Sequence, residues 1–222
     1  LACCRQEIRD TLCRLKQLAG PWWEKLGGIG FADPGLVDIP RGFSIRAVNV
    51  PGWVEAATGE WLTREFGVDS GVWPECMVKT FMECQIRHFP SDQSLFHLSL
   101  GSGIGGGFIK NGECFTGDTN QAMEIGHIVI DPNGPLCRCG NRGCLETYAS
   151  IPALLEGSSF SSWRELADSA EQSPEAQRLV YQEALYLSAG LINLLNLIPV
   201  DTIYLSGDVC YRYELLAAHL RQ

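Results

Sequence analysis

Positive charge is scarce in this chain of 222 residues: 17 Lys and Arg stand against 26 Asp and Glu, a formal net charge of −9. Phosphate backbones are met by clusters of Lys and Arg, so the deficit argues against nucleic-acid binding by this segment. Long apolar runs are missing as well. The longest candidate, 182–199, is broken by Asn193, Asn196 and Pro199 and falls short of the roughly 20 residues a membrane helix requires. No apolar amino-terminal stretch with a basic flank marks the chain for secretion, so the expectation is a cytoplasmic protein with reduced thiols. There is no Gly-Lys-Ser or Gly-Lys-Thr to complete a Walker loop, no internal repeat and no low-complexity segment.

What is present is a globular composition, 45% hydrophobic and 19% charged, enough for one large domain or two modest ones. The spacing of Ile8, Leu12, Leu15 and Leu18 predicts an amphipathic helix over 5–19, ended by Gly20-Pro21. Residues 26–32 read as a buried strand leaving through the turn Asp33-Pro34-Gly35. A helix over 54–66, a strand near 71–73, a helix over 75–87 and a strand over 94–100 follow. The chain then enters Gly101-Ser102-Gly103-Ile104-Gly105-Gly106-Gly107, with a returning strand at 107–110. Further on, helices are expected over 145–156, 161–171 and 174–197, the last capped by Ser173 with Pro174 in its first turn, and a strand over 202–205. This alternation of strands and helices is α/β.

Two features carry chemistry. His127, Cys137, Cys139 and Cys144 offer one imidazole and three thiols in a loop supplied with Gly126, Gly134, Gly140 and Gly143, the donor set of a tetrahedral structural zinc site. Buried or reactive free cysteines and a disulfide are the alternatives. The other seven cysteines, Cys3, Cys4, Cys13, Cys76, Cys84, Cys114 and Cys210, have no ligand spacing and read as small hydrophobic residues. Glu124 and Glu146 flank the loop; with His127 they could accept hydrogen bonds from several hydroxyls, as in a sugar pocket, or else be a solvated acid and a helix cap. If one nitrogen of His127 holds a metal, the other is available to a ligand. The strand, glycine bend and returning strand form a hairpin whose amides could approach an anion, though most glycine turns bind nothing.

The stretch MEIGHIVIDPNGPLCRCGNRGCLETYAS resembles the signature of the ROK family, the repressor, open reading frame and kinase group. GIGFADPGLVD, VPGW at 50–53, LGSGIGGGFIKNGECFTGD and IYLSGD agree with it in order and spacing, over most of residues 27–210. The resemblance implies an actin-like, ribonuclease-H-like fold of two lobes, here 1–73 and 74–222 with the amino-terminal lobe incomplete, and a structural zinc loop. It implies zinc on His127, Cys137, Cys139 and Cys144. It places a hexose or N-acetylhexosamine against Glu124, His127, Glu146 and Gly35. Gly101, Ser102, Gly103 and Gly105 would lie by the phosphates of ATP with its Mg²⁺. Family members are commonly dimers or tetramers, so a homo-oligomer is implied.

Three departures accompany the resemblance. The family's Asn-Asp, sugar holder and general base, falls on Pro74-Glu75 when counted back from Glu83. Proline cannot replace an amide, and Glu75 moves a carboxylate by about an ångström, which can cost on the order of a hundredfold in rate. The Asp-x-Gly-Gly-Thr strand pair has no counterpart before residue 5, and the chain ends soon after Ser206-Gly207-Asp208, as a fragment or a reduced paralogue would. Asp33 stands where an apolar residue usually precedes Pro-Gly. Three readings follow: a sugar-responsive regulator or non-catalytic homologue whose DNA contacts lie in a region absent from this chain; an ATP-dependent hexose kinase with Glu75 as base; or a zinc-stabilised relic.

Overall fold

The computed structural model describes residues 1–47, 50–117 and 123–220; Asp118, the last residue of the hairpin stretch matched above, lies outside them. The chain divides into two compact units, one of Leu1–Val78 with Thr116–Gln121, the other of Lys79–Phe115 with Ala122–Gln222.

In the first unit, β1 (Ile29–Asp33) pairs in parallel with β5 (Ser70–Pro74), while β2 (Leu36–Asp38), β3 (Phe43–Arg46) and β4 (Val54–Ala56) form an antiparallel meander. The helices are α1 (Ala2–Ala19) and α2 (Thr58–Phe66). Trp23, Trp61, Leu62 and Phe66 make the core, against which Ile8 and Leu12 of α1 pack. Leu15 and Leu18, predicted on the same apolar face, are instead 50% and 77% exposed, while Ala19 at the end of α1 packs on this core. The helix expected over 54–66 gives up its start to β4, whose Val54 and Ala56 pair with Arg46 and Ser44 of β3. Pairing across the turn at Pro51-Gly52 outweighs local helix propensity there.

Asp33 is the polar hub of this unit. Its carboxylate accepts hydrogen bonds from the Gly35 amide at 2.9 Å, the Trp53 indole N–H at 2.7 Å and the Ser44 hydroxyl. Ser44 in turn meets the Thr58 hydroxyl at 2.7 Å. Asp33, Ser44 and Thr58 are wholly buried, so one side chain ties the end of β1, the middle of β3, the 50–53 turn and the start of α2. Gly35 is pressed on β3 so closely that a Cβ there would collide with the Arg46 carbonyl oxygen. Asp33→Ala removes the acceptor of two buried donors, on Ser44 and Trp53, and of the part-buried Gly35 amide; the expected cost is about 3 kcal/mol, read as a lower urea midpoint. Unchanged unfolding would contradict the hub.

In the second unit, β8 (Glu113–Cys114), β7 (Ile104–Lys110), β6 (Ser94–Leu100) and β9 (Thr202–Gly207) lie side by side in that order, β6 antiparallel to β7 and parallel to β9. α3 (Glu75–Ile86) begins in the first unit and continues in the second. The alternation Phe96, Leu98, Leu100 sends one face of β6 into the main core, built with α4 (Glu146–Ala149), α5 (Ile151–Leu155), α6 (Trp163–Ser169), α7 (Pro174–Leu197) and α8 (Glu214–Leu220). On the other face the buried His97 is held between the hydroxyls of Thr80, 3.1 Å from Nδ1, and Ser206, 2.6 Å from Nε2. Burial lowers its pKa, so it serves as a neutral bridge from α3 to β9.

α7 has the predicted limits, with the Ser173 hydroxyl accepting from the Ala176 amide. The helix expected over 145–156 is instead α4 and α5, parted at an extended Ser150 (φ −71°, ψ 148°). Pro152 has no N–H for the Tyr148 carbonyl and its ring would clash there, so one helix cannot run through, and the Ile151 amide donates to the Gly101 carbonyl at 2.9 Å. The strand expected at 107–110 starts at Ile104, so Gly105, Gly106 and Gly107 belong to β7 and only 101–103 turn. Gly106 is there for packing, since a Cβ would strike the Phe96 ring. α8, β2 and β3 had no counterpart in the sequence reading. Cys3, Cys13 and Cys210, expected as small hydrophobic residues, are exposed.

Candidate functional site

The loop between β8 and α4 brings together side chains that are scattered in sequence. A turn of 3₁₀ helix, Ile125–His127, presents the imidazole, and the segment from Pro135 to Cys144 folds back on it. The fold-back is held by the Cys137 amide on the Asn141 carbonyl at 2.7 Å, the Gly143 amide on the Pro135 carbonyl at 2.8 Å and the Leu145 amide on the Ile128 carbonyl at 2.9 Å. Gly143 (φ +65°) has the backbone close against Asp131, where a Cβ would fall on its carbonyl oxygen. Asp131 accepts from the Asn133 amide at 2.9 Å and the Tyr148 hydroxyl at 3.0 Å, a role the sequence reading did not assign.

The ligand atoms of His127, Cys137, Cys139 and Cys144 all lie within 4.8 Å of one another. The Cys139 and Cys144 sulfurs are 3.7 Å apart, and the Cys137 sulfur is 3.6 Å from His127 Nδ1. Around one ion with metal–sulfur bonds of about 2.3 Å and metal–nitrogen bonds of about 2.0 Å, tetrahedral edges come to about 3.8 and 3.5 Å. The residues therefore fit such an ion, and 3.7 Å is far beyond the roughly 2.05 Å of a disulfide. Burial, followed by hydrogen bonding from Cys139 and Cys137, pushes the Cys144 thiol up to about 12. Burial raises Cys137 too, whereas hydrogen bonding, first from the Asn141 backbone, lowers Cys139 despite its burial.

The two faces of the imidazole have different company. Nδ1 points to the sulfurs, whereas Nε2 is 4.0 Å from Glu124 Oε2, beyond hydrogen-bonding distance. Half of the Glu124 side-chain surface stays accessible, yet partial burial raises its carboxyl above the usual range, with His127 opposing the rise and Glu146 adding to it. One oxygen of Glu146, Oε2, accepts the Ile104 amide at 2.9 Å. That contact, across 42 positions, had no signal in the sequence. The imidazole edge and the Glu124 carboxylate thus lie side by side, close enough to Glu146 for its charge to be felt at Glu124.

The remaining predicted site residues sit elsewhere. Gly101, Ser102 and Gly103 form the turn between β6 and β7, closed by the Gly101 amide on the Gly103 carbonyl at 3.0 Å, and Gly105 pairs with Ser99 within the sheet. Gly101 adjoins Asp208 at the end of β9. Gly35 and Glu75 belong to the first unit, Gly35 in the turn held by Asp33 and Glu75 as the half-buried first residue of α3.

Known proteins resemble this chain in sequence and fold. A glucokinase of Halalkalibacterium halodurans is 30% identical over 93% of this chain and 69% of its own length. A xylose repressor of Bacillus spizizenii is 29% identical over 87% of this chain and 51% of its own, and a glucokinase of Thermotoga maritima 33% identical over 57% and 40%. The chain thus spans about half the length of the curated relatives it matches. Among solved structures, a ROK hexokinase from Thermus thermophilus superposes with a TM-score of 0.77 at 27% identity, over 97% of this chain and 74% of that one. A ROK family glucokinase from Streptomyces griseus, in complex with glucose and AMPPNP, gives 0.80 at 24% identity, over 97% and 76%. Its actin-like neighbours, its donor set and a match of residues 3–222 to the family model agree: the chain belongs to the ROK family.

Proposed function

We propose that the protein binds a hexose or N-acetylhexosamine through Glu124, His127 and Glu146, beside a structural zinc held by His127, Cys137, Cys139 and Cys144, as a sugar-responsive regulator or non-catalytic homologue. The observation that carries this reading is the split imidazole, with Nδ1 among the thiols and Nε2 open toward Glu124. A metal on Nδ1 would fix the ring and leave the Nε2 N–H to donate to a sugar oxygen, while the carboxylates accept from its hydroxyls. Relatives named as glucokinases, N-acetylmannosamine kinases and xylose repressors support a sugar as the ligand class. In the regulatory reading, DNA is contacted by a part of the protein other than residues 1–222, since this segment carries −9. The reading includes a cytoplasmic homo-oligomer; no described helix is long and apolar enough to cross a membrane.

The second reading is an ATP-dependent hexose kinase, favoured by the hairpin turn at Gly101–Gly103, with Glu75 taking the proton from the attacking hydroxyl. Pro74 weighs against it, because it offers no side-chain amide to hold the sugar. Calorimetric titration with glucose, N-acetylglucosamine and N-acetylmannosamine should show saturable binding of at least one, lost in His127→Ala. A coupled ATP assay with the same sugars should give no ADP release above a Glu75→Ala control. Sugar-dependent release that disappears in Glu75→Ala would establish the kinase and reverse the ranking.

A further inference from the structure

Ile104 is where the glycine turn ends and β7 begins, and both flanks of the metal loop grip it. Its amide donates to Glu146 Oε2 at 2.9 Å. Its carbonyl oxygen lies against Gly126, where any added side chain would collide. At the other end of the turn, the Gly101 carbonyl accepts the Ile151 amide at 2.9 Å. Gly126 immediately precedes His127, and Glu146 follows Cys144 by two residues. The jaws on Ile104 are thus extensions of the first and last members of the tetrad.

Backbone pairing joins these jaws near their roots: the Leu145 amide on the Ile128 carbonyl and the Ile130 amide on the Gly143 carbonyl, both at 2.9 Å, with an isolated bridge between Val129 and Cys144. The Tyr148 hydroxyl on Asp131 adds a side-chain link at 3.0 Å. Beyond these, closure comes from three sulfurs and an imidazole brought within 4.8 Å. Neutral thiols attract one another weakly, and thiolates repel, so without a cation these links alone hold the flanks in register. Loosening at the tetrad would be passed to Gly126 and Glu146, which grip the two sides of Ile104.

We propose that metal occupancy of the tetrad sets the order of the Gly101–Gly107 hairpin, so that an oxyanion contact made at this turn depends on metal bound at the loop. This rests on the metal reading above, but concerns the hairpin, which contributes no ligand.

The test is amide hydrogen exchange on the full chain, followed by mass spectrometry, with metal content measured on the same samples. Three states are compared: zinc-loaded, stripped with chelator, and Glu146→Ala, which keeps all four ligands. Stripping should speed exchange across 101–107 at least tenfold while amides in the core of α7, 179–194, keep their rates. Glu146→Ala should speed 101–107 with zinc retained, because it deletes the acceptor of the Ile104 amide. Unchanged exchange at 101–107 after zinc is lost overturns the proposal. Equal acceleration in 101–107 and α7 also overturns it, since the metal would then be holding the whole unit. A protein that takes up no zinc under loading sinks the metal reading itself, and the proposal with it.

Discussion

Glu183→Gln raises the thermal midpoint, and the gain grows with pH. Glu183 lies on α7 with its side chain wholly buried, and neither carboxyl oxygen has a hydrogen-bond partner among the described residues. Burial alone accounts for the rise of its pKa from 4.5 to about 8. In the native protein at neutral pH it is therefore a neutral acid, while the unfolded chain releases that proton above about pH 4.5. Because the folded pKa is the higher one, the group adds no ionisation penalty below about 4.5. It destabilises progressively as pH rises toward 8, and the penalty is complete above that. At about 1.4 kcal/mol per pKa unit the full penalty is about 4 to 5 kcal/mol, or roughly 10–15 °C for a chain of this size. Unfolding of wild type and Glu183→Gln, followed at pH 5 and pH 8.5, should differ little at the first and by about that amount at the second. Parallel curves at both values would show that the carboxyl is ionised or solvated in the native state.

Cys144→Ser carries the second large effect, in the opposite direction. Cys144 is fully buried and shares a 3.7 Å contact with Cys139, so its loss leaves three donors and an incomplete coordination shell. Metal binding energy is folding energy when the site exists only in the folded chain. Part of the second unit is held by its own apolar core, so the expected loss is at least about 3 kcal/mol rather than total unfolding, roughly 6–12 °C in midpoint. Purified wild type should contain about one zinc per chain, and Cys144→Ser much less. Chelation should also make Cys139 newly reactive to a thiol reagent, since hydrogen bonding lowers its pKa while those of Cys137 and Cys144 are raised. Wild-type protein that is free of zinc, with a midpoint indifferent to chelator, would remove the site.

The tetrad was legible because its geometry is local: Cys137 and His127 are 10 positions apart, Cys144 and Cys139 only 5, and the turn glycines lie between. α7 was legible for a similar reason, with Ser173, Pro174 and Pro199 marking its ends. Failures came where distant contacts decide. Nothing near Ser150 says that the Ile151 amide will leave its helix for the Gly101 carbonyl. β2 and β3 are three and four residues long, too short for a period to show, and β4 exists only through β3. Asp33 read as a departure from an apolar pattern; the structure makes it the acceptor for Trp53, the aromatic of VPGW, and polar and aromatic residues must be considered together to see it.

The parallel pairing of β6 with β9 bears on how the second unit forms. Ser94 hydrogen-bonds to Asp201 across 107 positions, whereas β6 and β7 join through a tight turn. The nearby pair can zip at little cost in chain entropy, but docking β9 closes a loop holding the metal segment and four helices. Such a high contact order places this unit among slow folders, with β9 the last strand to join, and until then the Tyr204 side of β6 stands open to another chain. In a cell, yield would depend on how quickly that gap closes relative to encounters with a second copy.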